Sequence, residues 1–458
     1  MRFPASCHFV RGFLALAAGI AISSSRAAEP FDAHGRIRVA ASGTHLEHAD
    51  GTPFFFLADT CWTGPALSEE KDWDEYLADR RKKGFTAIQF NMASPWRCAR
   101  TDAEGRPSYL LRDGKLVVNE EFYAARLDAR LRAINQAGLL AVPVLCWANH
   151  AGDAGIDLTE EQIITLVRYE VSRYEKDQVL WILGGDNDYK GPNGERWKRI
   201  GRTVFGQGAA APVTTHPTGQ NWPWKDWQDE MWLTVFGYQS GHGDGDGTWN
   251  WIHHGPPAEA GRSASFSRPI INLEAPYEGH LAYQSHQPHS DANVRRAVWW
   301  SLLVTPVAGV TYGSHGVWSW NTKPGQAPTD HPGTGPAPTW REALDRPGAR
   351  QVGLARRFFE CLPWTKLRPA PQLLASQEKE ASKFIACAAT PDHGVIVAYV
   401  PAGAKPQVAL DQESGPGWVT RWFDPRSGDW KPGSPLPPTA TDDWVFLRAA
   451  EKEVKVPK

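Results

Sequence analysis

The chain holds only 3 methionines and 6 cysteines, and its 49 Lys and Arg almost balance its 51 Asp and Glu. A formal net charge of −2 offers no attraction to nucleic acid or to an anionic membrane surface, so neither is expected as a partner. Cys7 lies in the N-terminal leader. Cys61, Cys98, Cys146, Cys361 and Cys387 are odd in number and scattered, which argues against a disulfide scaffold while leaving one or two bridges open in an oxidising compartment. None is spaced as a zinc site. His-Glu-x-x-His, a phosphate-cradling glycine loop and a serine nucleophile elbow are all missing, and Gly184-Gly185 is no dinucleotide fingerprint. Asp244-Gly245-Asp246 lacks the other ligands of a calcium loop. No metal and no organic cofactor is therefore expected.

Long apolar runs are also missing. Gly12 to Ile22 is too short to span a bilayer as a helix. With Arg2 and Arg11 ahead of it and Ser25-Arg26-Ala27 behind, it predicts an export leader over residues 1–27. The expected location is periplasmic or secreted, with no membrane insertion once the leader is gone. The sequence carries no signal for an oligomeric state.

What the chain does have is tryptophan, 22 of them. An indole has a broad apolar face on which the C–H face of a sugar ring stacks. Most tryptophans are expected in the core, and clusters such as Trp222, Trp224 and Trp227 are the best candidates for a sugar groove.

Strand-like and helix-like segments alternate through two thirds of the chain. Strands are expected at Pro53–Ala58, Thr86–Asn91, Leu139–Cys146, Val179–Leu183, Pro212–Thr215, Leu233–Tyr238, Ile270–Glu274 and Gly309–Tyr312. Helices are expected between them, among them Glu69–Lys83 stopped by Gly84, Glu121–Gln136, a Thr159-led helix to Tyr174, Asp291–Val304 and Ala349–Cys361. That alternation predicts an α/β fold, a (β/α)8 barrel over residues 28–362. Beyond Leu362-Pro363 only short strands remain, at Phe384–Ala388, Val395–Val400, Gln407–Leu410, Val419–Phe423 and Trp444–Leu447. They predict a small all-β sandwich over residues 363–458.

Two of the barrel strands deliver a carboxylate at their C-terminal ends: Asp186 after Val179–Gly185, and Glu274 closing Ile270–Glu274. Parallel barrels build their sites at that face, and two acids in one pocket can divide the acid/base and nucleophile work of glycosidic cleavage. Gly184 and Gly185 would let the backbone turn sharply before Asp186. Alternatives are an N-cap role for Asp186 and an ion pair of Glu274 with Arg295 or Arg296, and Glu278 competes with Glu274. Other strand ends carry candidate substrate-binding groups: Asp59 and Trp62, Gln89 and Asn91, Trp147 and His150, Asn187, His216, Gln239 and His242, then His315 and Trp318. Tyr277 could hydrogen-bond a nucleophilic Glu274 and keep it ionised.

These residues carry a family likeness. Phe56-Leu57-Ala58-Asp59-Thr60-Cys61-Trp62, Arg81 to Gln89, Leu183 to Asp186, Thr215-His216-Pro217, Gln239 to His242 and Glu274 to Glu278 resemble, in order, the apiosidase-like glycoside hydrolases. Trp422 to Gly428 resembles the β domain that follows such barrels, which bears a collagen-binding label in some relatives. The resemblance implies that Asp186 and Glu274 match the family's catalytic pair and that the substrate is an oligo- or polysaccharide. Asn187-Asp188 differs from the Arg-Asn of the pectin-active members. Without turnover, the alternative is a non-catalytic carbohydrate- or matrix-binding protein on the same scaffold.

Overall fold

The computed structural model describes residues 31–206, 208–263, 267–406 and 417–455. The expected leader and the strand expected at Gln407–Leu410 lie outside the described residues.

Eight parallel strands form the barrel: β1 (Phe56–Thr60), β2 (Ala87–Asn91), β3 (Leu140–Val144), β4 (Trp181–Ile182), β5 (Val213–Thr214), β6 (Phe236–Gln239), β7 (Ile270–Glu274) and β8 (Gly309–Gly313). They pair in the order β5-β4-β3-β2-β1-β8-β7-β6. The remaining seam is drawn together by the Thr234 and Val235 amides, which donate to the Val213 carbonyl over 2.9 and 3.1 Å. All eight lie within a few residues of the strands expected from sequence. Along β1 the side chains alternate as the pleat requires. Phe56 and Ala58 join the barrel interior with Val142, Ile182 and Leu273, whereas Leu57 faces the outer layer. A three-stranded antiparallel sheet (Ile37–Val39, Leu46–His48, Pro53–Phe54) adds Ile37, Leu46 and Phe54 to the interior cluster.

The helices form for local reasons. Helix Glu70–Lys83 buries Trp73, Tyr76, Leu77 and Arg80 on one face, and Gly84 ends it in the left-handed conformation at φ +94°. Helix Glu160–Tyr174 starts with a capping box in which the Gln162 amide donates to Thr159 Oγ1 (3.3 Å) and the Thr159 amide to Gln162 Oε1 (2.9 Å).

Between β5 and β6 there is only a 3₁₀ turn, Trp224–Trp227. Here the tryptophan cluster departs from the expected sugar groove. Trp224 and Trp227 are fully buried, and their indoles donate to the Gly237 carbonyl (2.8 Å) and the Tyr189 carbonyl (3.1 Å). Trp224 stacks on Phe236 at 5.7 Å. The rings fill the wall that a helix covers elsewhere, because a loop of smaller residues would leave the outer face of β5 and β6 wet.

The C-terminal strands are β9 (Arg368–Pro369), β10 (Ala386–Ala389), β11 (Val395–Val400), β12 (Trp418–Phe423), β13 (Trp430–Pro432) and β14 (Trp444–Ala450). They make an antiparallel sheet in the order β9-β10-β11-β14-β12-β13. One face packs on barrel helices: Tyr399 stacks on Trp299 at 5.9 Å and Trp430 on Phe358 at 5.6 Å. Loops cover the other face, over Ile396, Ala398 and Phe446. Cys61, Cys98, Cys146, Cys361 and Cys387 are all free thiols. Among the described residues no helix is long and apolar enough to cross a membrane.

Candidate active site

Ladder hydrogen bonding continues past β4 on both sides, from the Gly185 amide to the Cys146 carbonyl (3.0 Å) and from the His216 amide to the Gly184 carbonyl (2.9 Å). This extension carries Asp186 to the mouth of the barrel. The glycines before it are not in the left-handed region. They are needed for room instead, since a Cβ on Gly185 would come within 2.3 Å of the Trp147 ring. Glu274 is placed by Asn272, whose Oδ1 accepts the Glu274 amide (3.2 Å) and whose Nδ2 donates to Ser240 and Ser301 (3.0 Å each).

Both acids open into one cavity of ≈ 230 Å³. Its aromatic walls are Trp62, Trp96, Trp147, Tyr277 and Trp318, and polar groups including Asn149, His150, Gln239 and His242 interrupt them. The rings brace one another: Trp62 meets Trp147 edge-on at 5.0 Å, and the Trp62 indole donates to the Tyr277 hydroxyl over 3.1 Å. Apolar faces with a few convergent polar groups are the usual make-up of a small-ligand site.

The two acids have unlike surroundings. His216 stands between them, fully buried, with Nδ1 3.2 Å from Asp186 Oδ1 and Nε2 3.4 Å from Glu274 Oε2. Glu274 also receives His242 Nε2 over 2.7 Å. Asp186 receives Gln239 Nε2 (2.8 Å) and Asn149 Nδ2 (3.2 Å). Burial works against the Glu274 charge, but His216 beside it and the hydrogen bond from His242 prevail and hold its carboxyl well below the usual range. At Asp186 burial raises the carboxyl, the Glu274 charge adds to the rise, and His216 and Gln239 offset it only in part. Burial also opposes a charge on His216, yet the Asp186 and Glu274 carboxyls beside it push it up to about 9. One carboxyl is thus pushed down beside one that is pushed up, the direction of division that acid and nucleophile roles require.

Of the sequence-predicted substrate-binding residues, Trp62, Trp147, His150, Gln239, His242, Tyr277 and Trp318 line the cavity. Six do not. Asp59 points outward from β1 into a fully buried ion pair with Arg80 Nε (2.6 Å) and accepts the Tyr76 hydroxyl (2.8 Å). Gln89 lies beneath the site, donating to the Leu273 carbonyl (3.0 Å). Asn91 donates to the Ala93 carbonyl (2.6 Å) and Asn187 to the Ala148 carbonyl (2.8 Å), so both hold loops. His315 accepts the Trp318 indole N–H at 3.2 Å and so sets the angle of that wall from behind. His216 touches the acids and not the open space. The competitors of Glu274 are accounted for as well: Glu278 accepts the Tyr312 hydroxyl (2.7 Å) and the Gly348 amide (3.0 Å), and Arg295 pairs with Asp443 at 2.6 Å.

Sequence reasoning missed Trp96, Arg97 and Cys98 on the excursion after β2, His280 and Tyr283 after β7, and His331 and Thr334 after β8. They belong to long loops without periodicity. None of the cavity lining comes from the C-terminal sheet. Asp186, His216 and Glu274 are also the described residues whose donor atoms converge enough for a metal ion, all within 4.8 Å.

The fold has counterparts among solved structures. A glycoside hydrolase family 5 protein from Bacteroides vulgatus is 19% identical, with a TM-score of 0.79 over 94% of this chain and 96% of that one. Another structure, named as a glycoside hydrolase, is 20% identical, with a TM-score of 0.78 over 93% and 99%. At such identities the likeness is one of fold. No protein among those with curated functions matches. A collagen-binding domain of a collagenase is the description of the family model that matches residues 369–447. The model described as apiosidase-like, catalytic domain, matches residues 40–366, the whole barrel with Asp186 and Glu274 in it, and the chain belongs to that family.

Proposed function

We propose that the protein is a retaining glycoside hydrolase acting on plant or microbial polysaccharide, with Asp186 as general acid/base and Glu274 as nucleophile. The observation that carries this reading is the unlike pair of carboxyls at the mouth of one aromatic-walled cavity, with oxygens within 4.8 Å of each other. Retaining enzymes hold their carboxyls roughly 5–5.5 Å apart, whereas inverting ones need about 6.5–9.5 Å to admit a water. In the first step Glu274 attacks the anomeric carbon as Asp186 protonates the leaving oxygen. In the second, Asp186 takes a proton from water, which displaces Glu274. The tryptophan walls suit the apolar faces of a sugar ring, and Gln239 and Asn149 reach Asp186 from the polar side. Export by the expected leader would place the enzyme where polysaccharide is met.

The test is reducing-sugar release from a panel of pectic and other plant polysaccharides by the wild type and by Glu274→Gln. Release by the wild type and its loss in the variant are expected. Unchanged turnover in Glu274→Gln would remove the nucleophile assignment, and binding without release would favour a carbohydrate-binding protein.

A further inference from the structure

The cavity that holds the two carboxyls encloses ≈ 230 Å³. Pockets for drug-sized ligands run to roughly 300–1,000 Å³, so this one has room for little more than a single sugar ring. Further units of a longer chain must lie on the rim. Water competes there for every sugar hydroxyl, and a flat apolar face is what offers a gain. Tyr283 presents that face. It is 58% exposed, and of the exposed large apolar side chains among the described residues it alone lines the cavity. The walls Trp62, Trp96, Trp147 and Trp318 are buried by contrast.

The place and the rigidity of this ring are both built into the loops. Tyr283 makes T-shaped contacts with His242 at 5.8 Å and with His280 at 6.0 Å, and His242 donates to Glu274 over 2.7 Å. One imidazole therefore separates the exposed ring from the carboxylate. The Tyr283 amide donates to the His242 carbonyl (3.0 Å), and the Ala282 amide closes the turn on the Gln287 carbonyl (2.9 Å). The residues after Tyr283 are tied across to the loop that follows β6. Gln284 Oε1 accepts the Asp244 amide at 2.8 Å, and Asp244 accepts the Ser285 amide at 3.2 Å and the Ser285 hydroxyl. Asp244, whose surroundings lack a calcium loop's ligands, is thus a brace under Tyr283. A ring held this way has little freedom left to lose on binding.

We propose that Tyr283 is the platform of an outer sugar subsite, whose ring takes the C–H face of the unit next to the one Glu274 attacks. The protein thereby selects glycan chains over single glycosides. This rests on the glycosidase reading above. Tyr283 makes and breaks no bond. Its contribution is the apolar surface that ring and sugar remove from water together, and it needs the ring face, not the hydroxyl.

The test uses monosaccharides and short oligosaccharides of increasing length, made by partial acid hydrolysis of the panel's polysaccharides. Their binding to full-length Glu274→Gln is followed by saturation-transfer NMR titration. Affinity should rise roughly tenfold from a single sugar to a disaccharide. Adding Tyr283→Ala should abolish that gain, and adding Tyr283→Phe or Tyr283→Trp should keep it. A gain that survives Tyr283→Ala, or that is lost in Tyr283→Phe, overturns the platform. In the active enzyme, Tyr283→Ala should raise KM on the polysaccharide it degrades by roughly tenfold, with the loss falling on KM rather than kcat. Sugar release with the same KM in both proteins would remove the platform and leave the glycosidase. A length-dependent gain in a protein that releases nothing would keep the platform and remove the hydrolase. Binding of no oligosaccharide at all would overturn both.

Discussion

His242 donates to Glu274 over 2.7 Å from a ring whose other nitrogen is already occupied by the Tyr277 amide. The tautomer is therefore set by backbone, and the ring is held flat against His280 at 4.3 Å. A hydrogen bond to a charged group contributes about 1.5–3 kcal/mol, or roughly one to two pH units at the acceptor. His242→Ala should accordingly move the acid limb of activity upward by about that amount. The sign follows from a depressed carboxyl: the stability it lends is present above the unfolded carboxylate range and is lost as pH falls. The melting temperature of the wild type should thus exceed that of the variant near neutrality, with the gap narrowing in acid. A pH–rate profile with the same acid limb in both proteins would count against the assignment.

Asp59 was a candidate ligand from its place at the end of β1, and the structure makes it a structural anion. Its side chain and that of Arg80 are both fully buried, 2.6 Å apart. Removing Asp59 leaves the buried guanidinium with Asp79 alone, 2.7 Å away, so the cost should approach but not reach the about 3–5 kcal/mol of a fully uncompensated charge. Asp59→Ala should therefore unfold at clearly lower urea while keeping its turnover per folded molecule. Lost turnover at unchanged stability would restore a binding role.

Arg295 and Asp443 tie the barrel to the C-terminal sheet. The guanidinium makes two bonds of 2.6 Å to the carboxylate, which also accepts the Tyr399 hydroxyl at 2.7 Å. Asp443→Ala should cost less than the about 3–5 kcal/mol of a fully uncompensated charge, because Asp291 still faces the guanidinium at 3.0 Å. Calorimetry is expected to show barrel and sheet melting together at a lower temperature. A barrel transition left where it was, with only the sheet melting earlier, would mean that the two units are energetically independent.

The strands were legible because each is a short apolar run bounded by turn residues, and the acids because a parallel barrel collects all its strand C-termini on one face. Facing was not legible. In β1 both faces are buried, so no polar side marks the outside, and Asp59 gives no local sign that it points at Arg80 while Trp62, three residues on, lines the cavity. Gln89 and Asn91 failed similarly, since a polar side chain inside the barrel can satisfy a carbonyl below the site instead of a ligand. The loops carrying Trp96, Tyr283 and His331 had no period to read.

The sequence by itself determined the alternation of elements, the helix ends at Gly84 and Thr159, and the placing of Asp186 and Glu274 at strand termini, because those depend on neighbours a few residues away. Only the tertiary structure decided which carboxyl is pushed down and which up. That depends on His216 from β5 and His242 from β6 arriving beside carboxyls from β4 and β7, and on the burial that makes each hydrogen bond there count.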